Sequence, residues 1–142
     1  MVPVLIPFKQ VGVFVLGTEI VQYLEKFEFE VDDMSEYMVA PTINYRLSNP
    51  EITLFVSDNL IDFIGCYEEL LYKGTNLIGL HIDQFSVLVD EDYGEEDELY
   101  TDEGDEPHYV YEYKNVGLQV WAKGRLGIIS SIMVNGVDHY VD

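Results

Sequence analysis

The sequence predicts an α+β domain: an antiparallel sheet of about eight strands, made from two β-α-β-β-β repeats, with the helices on one face. Two observations carry this expectation. The first is a degenerate internal repeat that keeps its order along the whole chain. Leu16-Gly17 leads into Ile20-Val21-Gln22-Tyr23, and Leu77-Ile78-Gly79 leads into Ile82-Asp83-Gln84-Phe85. Tyr45-Arg46-Leu47-Ser48-Asn49 precedes Ile52-Thr53-Leu54-Phe55-Val56. At a constant offset of 66, Tyr111-Glu112-Tyr113-Lys114-Asn115 precedes Leu118-Gln119-Val120-Trp121-Ala122. Ile61-x-x-Ile64-x-Cys66 and Ile129-x-x-Ile132-x-Val134 close the comparison at an offset of 68. The second observation is that short segments rich in Ile, Tyr, Leu, Phe and Val follow each candidate helix and are separated by turn residues, as in a meander.

Residues 1–142 form a single domain on this reading, with the first repeat at about 4–67 and the second at about 72–134. In the first, Thr18 after Gly17 suits an N-cap, Glu19 suits a first turn, and Ile20, Val21, Leu24 and Phe27 share one helical face. Segments 43–48, 51–57 and 60–67 read as strands, with turn chemistry in Ser48-Asn49-Pro50 and Ser57-Asp58-Asn59. In the second repeat, Ile82, Phe85 and Val89 keep helical spacing, although Ser86-Val87-Leu88-Val89 equally fits an extended chain. Segments 108–114, 117–122 and 126–134 repeat the meander, punctuated by Asn115, Gly117, Lys123-Gly124 and Gly127. Helices packed on one side leave the opposite sheet face wetter and open to a partner.

Charge is the strongest compositional feature. The chain has 27 acidic and 7 basic residues, for a formal net charge of -20. Eleven of the acidic residues, and no lysine or arginine, fall between Asp90 and Glu106; the remainder is only moderately acidic at -9. Such a field repels nucleic acid and anionic membranes and steers basic protein surfaces inward. Direct nucleic-acid binding is therefore disfavoured. The lone Cys66 cannot form an internal disulfide, Pro3 and Pro7 interrupt an N-terminus with no basic stretch, and no apolar run reaches membrane-spanning length. A cytoplasmic location is the expectation, as a monomer or weak homodimer.

The helix-leading Leu16-Gly17-Thr18, followed by Tyr45, Ile52-x-Leu54-x-Val56 and Ile61-x-x-Ile64 with their second copy, resembles the tandem unit of β-lactamase inhibitory proteins. It is also similar to the single unit of small outer-membrane assembly lipoproteins. An acidic, cysteine-poor chain of this size further resembles the immunity proteins encoded beside bacterial polymorphic toxins, including those of contact-dependent growth inhibition. No secretion signal is expected from Pro3 and Pro7, and the single Cys66 forms no internal disulfide, unlike the β-lactamase inhibitors, so their target is not carried over; likeness of fold leaves function open.

The candidate site is the acidic segment 90–106, expected as a loop inserted between helix and meander. Asp90, Glu91, Asp92, Glu95, Glu96, Asp97, Glu98, Asp102 and Glu103 would supply charge, and Tyr93 and Tyr100 apolar anchors. Such a run is either a solvated spacer or a docking arm for a basic surface; the tyrosines and Leu99 favour the arm. Asp90-x-Asp92-x-Gly94 begins like a calcium loop, but Glu95 and Thr101 stand where glycine and glutamate are required. His81, His108 and His139 are too dispersed to mark a zinc site, Ser130-Ser131 lacks a nucleophile elbow, and Gly12 and Gly17 form no phosphate loop. No cofactor and no catalytic activity are expected. Tyr109, Tyr111 and Tyr113 alternate, either as core beneath the second helix or as a strip on the open face; Trp121 reads more simply as core than as an interface residue. The functional expectation is an immunity or inhibitor protein that occludes the cationic surface of a toxin such as a nuclease. The alternatives are an acidic nucleic-acid-mimicking regulator or phage inhibitor, and an adaptor that uses its sheet face.

Overall fold

The computed structural model describes residues 1–34, 42–99 and 107–140, excluding the side chains of 138 and 140. The chain opens with three two-residue strands, β1 (Leu5–Ile6), β2 (Gln10–Val11) and β3 (Phe14–Val15), which form their own small sheet. A single helical turn, α1 (Val21–Leu24), follows. Then come four strands: β4 (Glu30–Asp33), β5 (Thr42–Leu47), β6 (Ile52–Ser57) and β7 (Leu60–Cys66). The second half runs through the same succession. A hairpin of β8 (Leu71–Tyr72) and β9 (Thr75–Asn76) precedes α2 (Ile82–Val89). After the helix come β10 (Glu95–Leu99), β11 (His108–Tyr113), β12 (Leu118–Lys123) and β13 (Ile128–Asn135), and then a 3-10 turn at Val137–Tyr140. Four strands from each half make one eight-stranded antiparallel sheet in the order β10-β11-β12-β13-β7-β6-β5-β4.

Two expectations need correction. The fourth sheet strand of each half follows the helix instead of preceding it, because the segments before α1 and α2 are too short and glycine-broken to do more than form local hairpins. The acidic segment is also not a loop throughout. Glu95–Leu99 pairs residue for residue with His108–Glu112 as the outermost strand. Ladder hydrogen bonds to β11 offset the poor strand propensity of acidic residues there.

The same backbone bonds recur in both halves. Gly17 N–H donates to Ile61 C=O at 2.8 Å, and Gly79 N–H to Ile129 C=O at 2.9 Å. Both glycines have positive φ, +78° and +98°, where a side chain would be strained. The next residues, Thr18 and Leu80, accept from Ile61 and Ile129. Each helix is thereby tied to the last strand of its own half. Register shifts between Phe55 and Val56 and between Trp121 and Ala122 fall at equivalent positions. The halves meet at β7 and β13, where Ile64 faces Val134, Cys66 faces Ile132, and Gly65 faces Met133. At the repeat offset of 68 this is a self-complementary pairing, with Gly65 and Met133 on a pseudo-two-fold axis, as in an isologous interface.

Strand alternation sorts the residues onto two faces. The helix-covered face carries Leu54, Ile64, Val134, Leu118 and Tyr113 in one cross-strand row, all buried. Phe85 of α2 meets Tyr113 edge-on at 4.7 Å, and Ser86 hydrogen-bonds its hydroxyl at 2.7 Å. Phe14, Phe27 and Phe29 bridge from Tyr23 of α1 to Tyr45. Both helices therefore lie on the same side. The α1 face differs from expectation: Tyr23 and Ile20 are buried, whereas Val21 and Leu24 are exposed. Thr18 donates its hydroxyl to Val15 C=O at 2.6 Å and caps nothing. One turn of helix, held by the bridge between Glu19 and Leu60, is too short to present a full amphipathic face.

Candidate functional site

The expected site residues divide between two surfaces. Asp90 ends α2 in a left-handed conformation, and Glu91 follows, accepting from the Asn115 amide at 3.1 Å. Tyr93 turns inward against Tyr111 and Tyr113, at 4.8 and 6.1 Å between ring centroids. It is a packing residue, which a free docking arm would not supply. In β10, Glu96 and Glu98 lie on the helix-covered side. Glu96 meets Arg125 at 3.4 Å, and Glu98 accepts from the Tyr109 hydroxyl at 2.9 Å. Glu95 and Asp97 alternate onto the open face, and Lys114 lies 3.5 Å from Glu95. Asp92 is exposed. Tyr100, Asp102 and Glu103 lie outside the described residues.

The open face follows from register. One row crosses all eight strands: Glu95, Glu112, Gln119, Met133, Gly65, Thr53, Arg46 and Glu30. Flanking rows add Asp97, Val110, Trp121 and Ser131 on one side, and Asn135, Phe63, Phe55, Asn44 and Asp32 on the other. The middle is aromatic and the edges are acidic. Phe55 and Phe63 stack at 4.2 Å with planes 11° apart. Gly65 leaves the room they need: a Cβ there would stand 2.7 Å from the Tyr67 hydroxyl, 3.0 Å from Met133 Sδ and 3.1 Å from the Phe55 ring.

Hydrogen bonds fix the remaining centre. Trp121 Nε1–H donates to Gln119 Oε1 at 3.0 Å, and Gln119 Nε2–H donates to Glu112 at 2.6 Å. Trp121 is thus half-buried on the open face, correcting its reading as core, while Tyr111 and Tyr113 are fully buried on the other. Alternation had already marked this difference. In Leu118-Gln119-Val120-Trp121-Ala122, the tryptophan shares parity with glutamine, as Phe55 does with Thr53. A large aromatic on a polar parity is a legible interface signal.

Cys66 is buried in the core, and desolvation pushes its thiol up to about 12. It is protonated at neutral pH and behaves as a small apolar residue. Ser130 donates to Trp121 C=O at 3.2 Å. No group of three or more His, Cys, Asp or Glu is placed to hold a metal among the described residues. No helix among them is long and apolar enough to cross a membrane.

Compared with known protein families, characterised proteins and solved structures, the chain matches none.

Proposed function

We propose that the protein is a binding protein of the immunity or inhibitor class, which neutralises a basic toxin, a nuclease being the class that fits, by covering its cationic substrate-binding surface. The observation that carries this reading is an open sheet face with an aromatic centre and carboxylates at both edges. That is the anatomy of a protein interface, an apolar middle that excludes water within a charged rim. Nucleases hold phosphate backbones in basic clefts, and an acidic competitor is steered to the same clefts. A pure nucleic-acid mimic would have little use for Phe55, Phe63 and Trp121, which favours a protein partner recognised as a protein. The neutralising mechanism is occlusion and asks no catalytic group of this chain.

The test is co-expression with the product of the adjoining reading frame. Growth arrest by that product should be relieved, and purified protein should suppress its activity at one-to-one stoichiometry. Replacing Glu95 and Asp97, the carboxylates of this strand that lie on the open face, by Gln and Asn should slow association and flatten its salt dependence. Absence of both rescue and a complex would refute the reading.

A further inference from the structure

At the first-repeat end of the open face lies a cavity of about 350 Å³, lined by Asn44, Phe55, Ser57, Asp62 and Phe63, with Met34 and Thr42. That is the small end of the range for ligand pockets and suits one long side chain. Its wall is the stacked pair Phe55 and Phe63. Its polar groups include two strong acceptors beside the hydroxyls of Ser57 and Thr42. Asp62, exposed at the register shift of β7, supplies a carboxylate. Asn44 Oδ1 is closed off from water and has no donor among the described residues. A buried acceptor left unpaired is destabilising, so no bond to this oxygen opposes a turn of the amide. Half a turn of the amide presents this oxygen to the cavity. The nearest cation on the neighbouring row, Arg46, is engaged by Asp32 at 2.9 Å and Glu30 at 3.4 Å.

The second repeat shows that the fold does not require this chemistry. By the repeat offsets, Asn44, Phe55, Ser57, Asp62 and Phe63 correspond to Val110, Trp121, Lys123, Ser130 and Ser131. The backbone is the same there, with the same register shift, yet the carboxylate and amide are replaced by Ser130 and Val110, and a lysine stands in place of Ser57.

We propose that this cavity is a receptor for an arginine side chain of the partner. A planar guanidinium stacks on a phenylalanine face and offers donors in a fixed fork to both Asp62 and Asn44. Lysine satisfies the charge without the stacking. The inference rests on the reading of a basic protein partner, but it is tested without that partner. Blocked arginine (N-acetyl-arginine amide) is titrated into the whole protein by NMR, beside blocked lysine and blocked citrulline, which has nearly the shape of arginine without its charge. Saturable shifts at the Asn44 side-chain amide and at Phe55 and Phe63 are expected in the millimolar range, with lysine weaker and citrulline silent. Asp62→Asn, at an exposed position that leaves the fold intact by circular dichroism, should weaken arginine roughly tenfold. Equal binding of citrulline, or undiminished binding by Asp62→Asn, overturns the arginine receptor. So does absence of any saturable shift, and none of these outcomes touches the co-expression test. Arginine binding at Asp62 supports the cavity even if no toxin is neutralised.

Discussion

The two repeats share a backbone and differ in what they display on it. Gly17 and Gly79 make the same bond to the last strand of their half, the register shifts coincide, and the β7–β13 junction is symmetric. Buried positions also keep their character, with Tyr23 matching Phe85 and Cys66 matching Val134. On the open face equivalence ends. Arg46 corresponds to Glu112, Asn44 to Val110 and Gly65 to Met133. The helix-covered face has diverged under a packing constraint, and the open face under some other one. Its asymmetry is where a partner's shape would be recorded.

The largest expected effects test the shared half of this comparison. Tyr23→Ala and Phe85→Ala remove equivalent buried rings, and each should destabilise by about 3–5 kcal/mol in urea denaturation. Val21→Ser and Leu24→Ser, at exposed positions on α1, should stay within about 0.5 kcal/mol. If Val21 proves as costly as Tyr23, the two helices do not pack equivalently and the comparison breaks.

A second test uses a buried pair that differs chemically, Cys66 and Val134. The Cys66 thiol, pushed up to about 12 by burial from 9.0, stays protonated in the folded chain after the unfolded chain has ionised. Its contribution is fully present below pH 9 and is lost as pH rises from there toward 12, at roughly 1.4 kcal/mol per pH unit. Burial raises Tyr111 as well, and Tyr113 to about 12, adding to the same loss above pH 10. Cys66→Val makes the halves alike and should recover about 3 kcal/mol of the stability lost between pH 8 and pH 11. Identical pH slopes for the two proteins would mean that Cys66 is not held in a dry core.

Much of the fold was legible because meander strands advertise themselves twice. Leu118 to Ala122 shows period-two burial, Ile52 to Val56 is a short, largely apolar run buried at all but Phe55, and turn residues bound them. The acidic strand was not legible. Nothing local in Glu95–Leu99 favours extension; it is held by β11, by Arg125 on Glu96 and by Tyr109 on Glu98, contacts that only the tertiary structure brings together. Helix α1 misled for a related reason: its apolar spacing fits a longer helix, but the bridge from Glu19 to Leu60 and the bond from Gly17 to Ile61 confine it to one turn. The aromatic centre was within reach through parity, and it was hidden by treating Trp121 as a repeat position. The cavity at Asn44 and Asp62 was out of reach, because it depends on a register shift that composition does not reveal.

The smallest expected effect is the sharpest on the question of what the open face is for. At one edge Glu30 stands directly across from Arg46, an attractive pair. At the equivalent place in the second repeat, Glu95 stands directly across from Glu112, a repulsive one. Opposite charges across a strand pair are favourable and like charges unfavourable by roughly 0.2–1 kcal/mol. Glu30→Gln should therefore lower stability by a few tenths of a kcal/mol, and Glu112→Gln should raise it by about as much. The glutamine oxygen still accepts the bond from Gln119, so the Trp121 network is preserved. Thermal melts at low salt give both signs, and both should shrink as salt screens the pairs. If Glu112→Gln does stabilise, the native residue is held against the interest of the fold, and association with a basic partner is the readout that should worsen in the same variant. If it destabilises, Glu112 is a structural acceptor for Gln119 and that edge carries no sign of selection for binding.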